Sequence, residues 1–192
     1  MKPTGTNTTR LYGLPKVHKP GLPLRPVLDM YNSPFHGTAK LLVKILGPLH
    51  REIVQRRISD VFDFISKRSE TNVRYKRMLS MDVSSLFTNV PLMETVDYIC
   101  QEITDRQLDL GIPLCSPKKL LLKCTTNVHF FSNNLYYRQV DEIAMGSPLG
   151  PILADFFLAK LANVKLKDII KEFDVYCRYV DDIFILADGN CC

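Results

Sequence analysis

The sequence has no apolar run long enough to cross a membrane. Its longest apolar stretches are interrupted at Lys44, Pro48 or Lys160, and all fall short of the roughly 20 residues that a membrane-spanning helix needs. The N-terminus is rich in lysine, threonine and proline and lacks the apolar centre of a signal peptide. We therefore expect an intracellular protein without a membrane segment.

The sequence also lacks the paired cysteines of a zinc site. Its six cysteines form no C-x-x-C pair and have no histidine at a ligand spacing. Their positions within apolar segments predict reduced, mostly buried thiols. The six are Cys100, Cys115, Cys124, Cys177, Cys191 and Cys192. The last two, at the terminus, are typical of a truncated reading frame.

No repeat with a fixed period and no low-complexity tract interrupts the 192 residues. A hydrophobic fraction of 46% and a charged fraction of 23% are typical of a globular chain with one domain, or one and a half. Residues 1–77 carry 15 lysines and arginines against 5 acidic residues, whereas residues 78–192 carry 10 against 15. The basic first third suits binding of a polyanion such as nucleic acid, although a merely soluble basic domain has the same composition.

The first part of the chain is expected to be non-helical up to residue 36. Residues 1–10 are predicted to be disordered, and the five prolines within residues 11–36 predict an extended, turn-rich segment. Between Thr38 and about Arg57 apolar residues recur at helical spacing, and Gly47-Pro48 is expected to kink or split that helix. Asp60 is suited to cap a second helix.

The middle of the chain predicts a strand, a helix and a hairpin. Lys67–Arg77 is expected to be a basic loop, and Arg77–Val83 a strand that enters the core. Pro91 fits the first turn of a helix whose apolar residues share one face: Leu92, Val96, Ile99 and Ile103. Val128–Val140 predicts a hairpin that turns at Ser132-Asn133-Asn134.

The last third predicts a helix followed by two strands. Ser147-Pro148 has the form of a helix start, with serine as the N-cap, and the apolar residues that follow favour one buried face. Val175–Val180 and Ile183–Ala187 predict strands joined by a tight turn at Asp181-Asp182. The irregular alternation favours an α+β fold, with helices on one face of a small antiparallel sheet.

Three carboxylates stand where apolar strands end. Asp82 follows the apolar run that begins at Met78, and Asp181 and Asp182 lie between two strands. Carboxylates gathered in this way repel one another unless a cation lies between them. Two Mg²⁺ ions bridging them could activate a 3′-hydroxyl group and stabilise a leaving pyrophosphate. The alternative interpretations are aspartates that favour a turn and an Asp82 that caps one.

Four further residues have both a functional and an ordinary interpretation. Phe87 could press against the ribose C2′ atom and exclude a 2′-hydroxyl group, or could be a core residue. Gly146 could let the backbone approach a ligand closely, and the amides at the start of the following helix could face an anion. The ordinary interpretation is a simple capped helix. Lys16 and Arg25 could clamp a triphosphate or lie in a solvated loop. His18 is interpreted as structural.

As a set, these motifs resemble those of reverse transcriptases, specifically the reverse transcriptases of Penelope-like retroelements. The resemblance extends from about Leu11 to Ala187. Its motifs are LYGLPKVHKPG at 11–21, RPV at 25–27, NSP at 32–34, SMDVSSLFTNVP at 80–91, CTTNVHF at 124–130, AMGSPL at 144–149 and RYVDD at 178–182.

The resemblance implies a right-hand polymerase fold with fingers and a palm. Fingers are expected over residues 11–78, and a palm over 79–192 that returns into the fingers at about 105–145. Later palm motifs, a thumb and an attached nuclease domain are expected to be missing. The implied activity is RNA-directed DNA synthesis on an RNA template, from a DNA primer and dNTPs, and synthesis coupled to insertion would occur in the nucleus.

The resemblance also implies roles for the site residues. Asp82, Asp181 and the Val83 carbonyl group would hold two Mg²⁺ ions, with Mn²⁺ as an alternative. Asp182, the accompanying acid, would also belong to the metal site, as a ligand in some steps and not in all. Phe87 would be the sugar gate.

Three further residues would contact the nucleotide or the nascent pair. Lys16 and Arg25 would hold the incoming triphosphate, and Gly146 would lie near the nascent base pair.

The sequence departs from the family pattern at three places. Glu142-Ile143 replaces Gly-Val, Gly150 replaces a serine, and Asp155 replaces an asparagine, which is expected to add a charge near the primer-template.

Two other functions remain open on sequence alone. One is a truncated, non-catalytic remnant that only binds nucleic acid. The other is an RNA-directed RNA polymerase, against which the bulky Phe87 argues.

Overall fold

The computed structural model describes residues 5–17, 19–69, 71–113, 116–126 and 128–188. The expectations placed on residues 1–4, His18, Cys115, Cys191 and Cys192 therefore lie outside the described residues. Of the other cysteines, Cys124 and Cys177 are buried free thiols and Cys100 is half-buried. Among the helices of the described part, none combines the length and apolar character that a bilayer-spanning helix requires.

Within those ranges the chain forms seven strands and six α-helices. The strands are β1 Thr9–Pro15, β2 Leu24–Asp29, β3 Lys76–Asp82, β4 His129–Ser132, β5 Leu135–Arg138, β6 Val175–Tyr179 and β7 Asp182–Asp188. The helices are α1 His36–Ile53, α2 Val61–Ser69, α3 Leu92–Asp105, α4 Ser116–Thr125, α5 Gly150–Lys160 and α6 Lys167–Lys171. A 3₁₀ turn covers Leu86–Thr88, and a π-helical segment covers Leu161–Lys165.

The strands build two separate sheets. The first has the order β2-β1-β4-β5, in which β1 and β4 are parallel and the other pairs are antiparallel. The second has the order β3-β7-β6 and is wholly antiparallel. The predicted α+β class, with a small antiparallel sheet backed by helices, is confirmed.

The main core lies between four helices: α1 and α3 each pack against both α4 and α5. Helix α5 is buried on nearly all sides, whereas the sequence favours a single buried face. A helix that is apolar around its circumference belongs in an interior. Each large apolar side chain that is fully buried there contributes roughly 1.5–3 kcal/mol. The largest of them are Leu42, Leu46, Leu49, Leu92, Ile99, Leu121, Leu149, Leu153 and Phe156.

Several predicted elements are confirmed. The described residues between 11 and 35 contain no helix, α1 begins at His36, and all four predicted apolar residues of α3 are buried. The Asp60 carboxylate accepts a hydrogen bond from the Asp63 amide at 2.9 Å, so it caps α2. The β4–β5 hairpin turns at Asn133 and Asn134, both with positive φ, as a tight two-residue turn requires.

The first long helix is not split at Gly47-Pro48, and a kink there stays a prediction. Helix α1 runs without interruption from His36 to Ile53 and ends before Arg57. Pro48 lies on its exposed side. There the carbonyl group that loses its amide partner can bond to water, which lowers the cost of an internal proline.

Element boundaries differ from prediction in several other places. Strand β1 begins at Thr9, inside the segment expected to be disordered, because the Thr9 side chain is buried. The expected basic loop is shortened at both ends by α2 and β3. Helix α5 begins at Gly150 instead of Pro148, and Ser147 Oγ accepts a hydrogen bond from the Leu149 amide at 3.3 Å.

Strand β3 does not enter the core. It is an edge strand of the second sheet, and its residues after Lys76 are exposed. Met78, Leu79 and Met81 are 48%, 49% and 47% exposed. An apolar run predicts a strand equally well at the edge or in the centre of a sheet, so this placement follows only from the pairing with β7.

Candidate functional site

Two aspartates face each other at one end of the three-stranded sheet. Asp82, the last residue of β3, is the direct cross-strand partner of Asp182, the first residue of β7. Partners of this kind point to the same side of the sheet with Cβ atoms about 4.5–5.5 Å apart. Both residues are exposed. Two like charges are therefore held close together at the surface.

Asp181 belongs to the two-residue loop between β6 and β7. The last pair of that hairpin is Tyr179 with Asp182, so Val180 and Asp181 form the turn. The predicted turn at Asp181-Asp182 is therefore wrong by one residue, because Asp182 already pairs within β7. The Asp181 carbonyl group accepts a hydrogen bond from the Val83 amide at 2.9 Å. This bond ties the turn to the residue that follows Asp82.

The turn is conformationally strained at Val180. Its φ is +53°, in the left-handed region that costs a residue with a Cβ atom about 1–2 kcal/mol and that is unusual for a β-branched residue. The Val180 carbonyl group accepts a hydrogen bond from Arg178 Nη1 at 2.5 Å. A bond from a charged donor, worth about 1.5–3 kcal/mol, can offset the strain.

A buried ion pair lies beneath this turn. The Arg178 guanidinium group, in a residue 5% exposed, donates through Nη2 to Asp155 Oδ1 at 2.7 Å. The second oxygen, Oδ2, lies 2.9 Å from His50 Nε2 and 3.4 Å from Arg57 Nε. These groups enclose the Asp155 carboxylate, and the added charge near a primer-template stays a prediction.

Burial alone would raise the pKa of the Asp155 carboxyl group. The hydrogen bond to His50 and the charges of Arg178 and Arg57 outweigh burial, and they hold that pKa below its ordinary value. A carboxyl group with a lowered pKa stabilises the fold above its unfolded-state pKa, and that contribution disappears as the pH falls through the folded-state value.

The three exposed carboxylates have the donor chemistry of a Mg²⁺ site. Among the described residues, no lysine, arginine or histidine side chain forms an ion pair with Asp82, Asp181 or Asp182. Carboxylate and backbone carbonyl oxygens are the ligands that Mg²⁺ prefers, so the residues fit such an ion in type. Within the described residues, however, no three histidine, cysteine or acidic side chains form a ready-made ligand group.

Asp182 also borders a largely apolar cavity of about 410 Å³ between α2 and the β6–β7 hairpin. Phe64 and Phe184 meet there edge to face, with ring centroids 5.0 Å apart. Tyr179, which is 46% exposed, forms part of the same wall. The carboxylate end of the sheet therefore has water on one side and apolar side chains on the other.

Phe87 lies in the 3₁₀ turn that follows β3. It is half-buried against the main core, and its carbonyl group accepts a hydrogen bond from the Ile143 amide at 3.1 Å. A Cβ atom at Gly150 would lie 3.4 Å from Phe87 Cε1 and 3.3 Å from the Ala144 carbonyl oxygen. Gly150, a departure from the family pattern, therefore lets the loop before α5 pack closely on Phe87.

Gly146 approaches β2. Its φ is +100°, and a Cβ atom there would overlap the Leu28 carbonyl oxygen at 2.1 Å. The Leu28 amide donates to the Met145 carbonyl oxygen at 2.8 Å. The close approach that requires glycine here is thus to the backbone of β2.

Lys16 and Arg25 lie at the β1–β2 hairpin of the other sheet. The Lys16 amide donates to the Pro23 carbonyl oxygen at 2.9 Å, and Arg25 is the partner of Leu14. Arg25 is exposed and Lys16 half-exposed. No described contact joins either side chain to the carboxylates, so the structure keeps the basic and acidic groups on separate sheets.

No sequence motif predicts a functional role for Arg178, His50 or Arg57. A signal was nevertheless present, because Arg178 and Asp155 each interrupt an apolar segment. A charged side chain inside such a segment needs an oppositely charged partner, but the partner's identity depends on the fold.

One protein-family model matches this chain, and its description is "Reverse transcriptase (RNA-dependent DNA polymerase)". The match covers residues 17–191. No curated protein sequence matches the chain.

Several solved structures have the same fold at low sequence identity. A telomerase from Candida albicans, in complex with a TWJ fragment of telomeric RNA, matches with a TM-score of 0.72 and 10% identity, over 97% of this chain and 38% of that one. A telomerase from Candida tropicalis with the same type of RNA fragment gives 0.71 and 11%, over 98% and 37%. An apo telomerase from Candida tropicalis, truncated from its C-terminal domain, gives 0.66 and 11%, over 96% and 44%. The chain spans less than half the length of each.

The close contact at Gly146 predicts a large loss of stability on substitution. Gly146→Ala should lower the free energy of unfolding by about 2 kcal/mol or more, since the left-handed φ is unfavourable and overpacking adds a further 1–3 kcal/mol. Gly111→Ala is the matched control, because Gly111 also has positive φ but no atom within 4 Å of an added Cβ. Urea unfolding curves measure both. Equal losses in the two variants would contradict the proposed contact.

Proposed function

We propose that this chain, which belongs to the reverse transcriptase (RNA-dependent DNA polymerase) family, carries the nucleotide-transfer site of an RNA-directed DNA polymerase at Asp82, Asp181 and Asp182. The observation that carries the proposal is the pairing of Asp82 with Asp182, with the Asp181 turn bonded to Val83. Two sequence segments far apart thereby supply acidic oxygens to one exposed edge, as a two-metal site requires.

In this proposal Asp82, Asp181 and the Val83 carbonyl group hold two Mg²⁺ ions, or Mn²⁺ ions as an alternative. Bound there, the ions would lower the pKa of a primer 3′-hydroxyl group and stabilise charge on the leaving pyrophosphate. Asp182, the direct partner of Asp82, would also belong to the metal site, as a ligand in some steps and not in all. The protein's own contribution is to place these oxygens before substrate arrives, so catalysis depends on positioning and charge stabilisation.

The remaining site residues would select and orient the nucleotide. Phe87, half-buried after β3, would exclude a 2′-hydroxyl group. Lys16 and Arg25, on the other sheet, would reach the triphosphate through their positive charges. Gly146 would place its loop near the nascent base pair while its backbone packs on β2.

We further propose fingers over residues 11–78 and a palm over 79–192 that returns into the fingers at about 105–145. The substrates would be an RNA template, a DNA primer and dNTPs. The RNA named with two of the similar telomerases and the basic residues 1–77 support a nucleic-acid partner. The motif series supports a Penelope-like subtype, for which insertion-coupled synthesis would take place in the nucleus.

Primer extension on an RNA template tests the proposed polymerase. With dNTPs and Mg²⁺, Asp181→Asn should reduce extension at least about a hundredfold, because several kcal/mol of charge stabilisation depend on the bound ions. Asp168→Asn is the matched control, since Asp168 is an exposed residue of α6 paired with Lys171. Extension that survives in Asp181→Asn would contradict the metal role. Salt-sensitive RNA binding by the wild type without extension would support the non-catalytic alternative.

The sugar-gate role of Phe87 has a separate test. Phe87→Val should lower the preference for dNTPs over rNTPs by roughly 10- to 200-fold, the range over which hydrophobic contacts discriminate. The ratio of the two extension rates in one preparation is the appropriate measurement, because it does not change with the folded fraction. An unchanged ratio would remove the argument against an RNA-directed RNA polymerase.

A further inference from the structure

The turn that carries Asp181 depends on a side chain outside the proposed metal site. Val180 lies at φ +53°, and its carbonyl oxygen accepts a hydrogen bond from Arg178 Nη1. That carbonyl group belongs to the peptide bond between Val180 and Asp181. Because a peptide unit is planar, fixing its oxygen also fixes the direction in which the chain enters Asp181.

The backbone of Arg178 is itself held from the opposite side. Its amide donates to the Arg56 carbonyl oxygen at 2.9 Å, and its own carbonyl oxygen accepts from the Ile58 amide at 2.8 Å. These two bonds join β6 to the segment that follows α1. The side chain of Arg178 therefore starts from an immobilised backbone.

The far end of the Arg178 side chain is anchored in the core. Nη2 donates to Asp155 of α5 at 2.7 Å, and the other Asp155 oxygen contacts His50 of α1. The two guanidinium nitrogens thus bond in different directions, one to a core helix and one to the turn. A planar guanidinium fork can do this at fixed geometry, whereas a lysine ammonium group is a single point of contact.

We propose that Arg178, anchored by Asp155, is a positioning residue that sets the conformation of the 180–181 turn and thereby places the Asp181 carboxylate. Arg178 contacts no substrate in this role. The inference rests on the proposed function only where Asp181 is taken to bind a metal ion, because the positioning of the turn follows from the hydrogen bonds alone.

Hydrogen exchange tests the positioning directly. The Val83 amide, which donates to the Asp181 carbonyl oxygen, reports on the turn, and the Ile58 amide reports on the neighbouring backbone. In Arg178→Lys, exchange at Val83 should accelerate about tenfold, the effect of losing one charge-assisted bond, while exchange at Ile58 stays unchanged. Arg56→Lys is the matched control, since Arg56 Nη1 bonds to Asn163 Oδ1 at 2.6 Å and not to the turn.

A second variant decides the matter if Arg178→Lys does not fold. Asp155→Asn keeps an oxygen for Arg178 but makes the acceptor neutral and the bond weaker. We expect a smaller acceleration at Val83, again with Ile58 unchanged. Val83 exchange equal to that of the wild type in every folded variant would overturn the proposal, and so would equal acceleration at both amides, which indicates general unfolding.

Mn²⁺ binding, followed by electron paramagnetic resonance without nucleic acid, separates this inference from the proposed function. Arg178→Lys should weaken Mn²⁺ binding by roughly 10- to 100-fold, as the loss of residues that orient metal ligands does, and Arg56→Lys should not. Mn²⁺ binding that is lost in Asp181→Asn but unchanged in Arg178→Lys would overturn the positioning role alone. Mn²⁺ binding that does not depend on Asp181 would contradict the proposed metal site. Hydrogen exchange at Val83 would then be the test of whether Arg178 positions the turn.

Discussion

Asp82 and Asp182 carry like charges and face each other across the last residue pair of β3 and β7. Directly opposed like charges destabilise a sheet. The rest of the described structure can be understood as support for this arrangement. At the opposite end of the same two strands the charges attract each other, because Lys76 forms ion pairs with Asp188 and Asp174.

The support is provided by a buried polar network inside an otherwise apolar core. Asp155 lies on the most deeply buried helix, α5, and its ion pair with Arg178 reaches the strained turn. A buried ion pair is expensive to desolvate and gives little net stability. Its benefit here is geometric, because it fixes one peptide group that a hydrophobic contact could not orient. The main core, built from helices, makes that fixed geometry possible.

Local patterns in the sequence predict those features that depend on local physics. The apolar period of α3, the Asp60 cap and the two strands around the acidic turn follow from spacing and turn chemistry. Local patterns do not predict that α1 continues through Pro48, because that continuity depends on which side of the helix faces water.

The other differences between prediction and structure arise from contacts between residues far apart in the sequence. The exposure of β3 follows only from its pairing with β7, and Asp155 finds its partners on α1 and β6. The sequence identifies Asp82, Asp181 and Asp182 as a group, whereas the arginine that orients their turn is recognisable only once the fold brings it to Asp155.

Thermal unfolding of the Asp182→Asn variant tests most directly whether the paired carboxylates form a cation site. The control variant is Asp188→Asn, at the other end of the same strands. With a metal chelator present and at low salt, we predict a higher Tm for Asp182→Asn than for the wild type, because the substitution removes one of two like charges. We predict a lower Tm for Asp188→Asn, because it removes a partner of Lys76. Mg²⁺ should then raise the Tm of the wild type more than that of Asp182→Asn, because an ion stabilises the state that binds it. A lower Tm for Asp182→Asn in chelator, with equal Mg²⁺ shifts in all three proteins, would contradict the account.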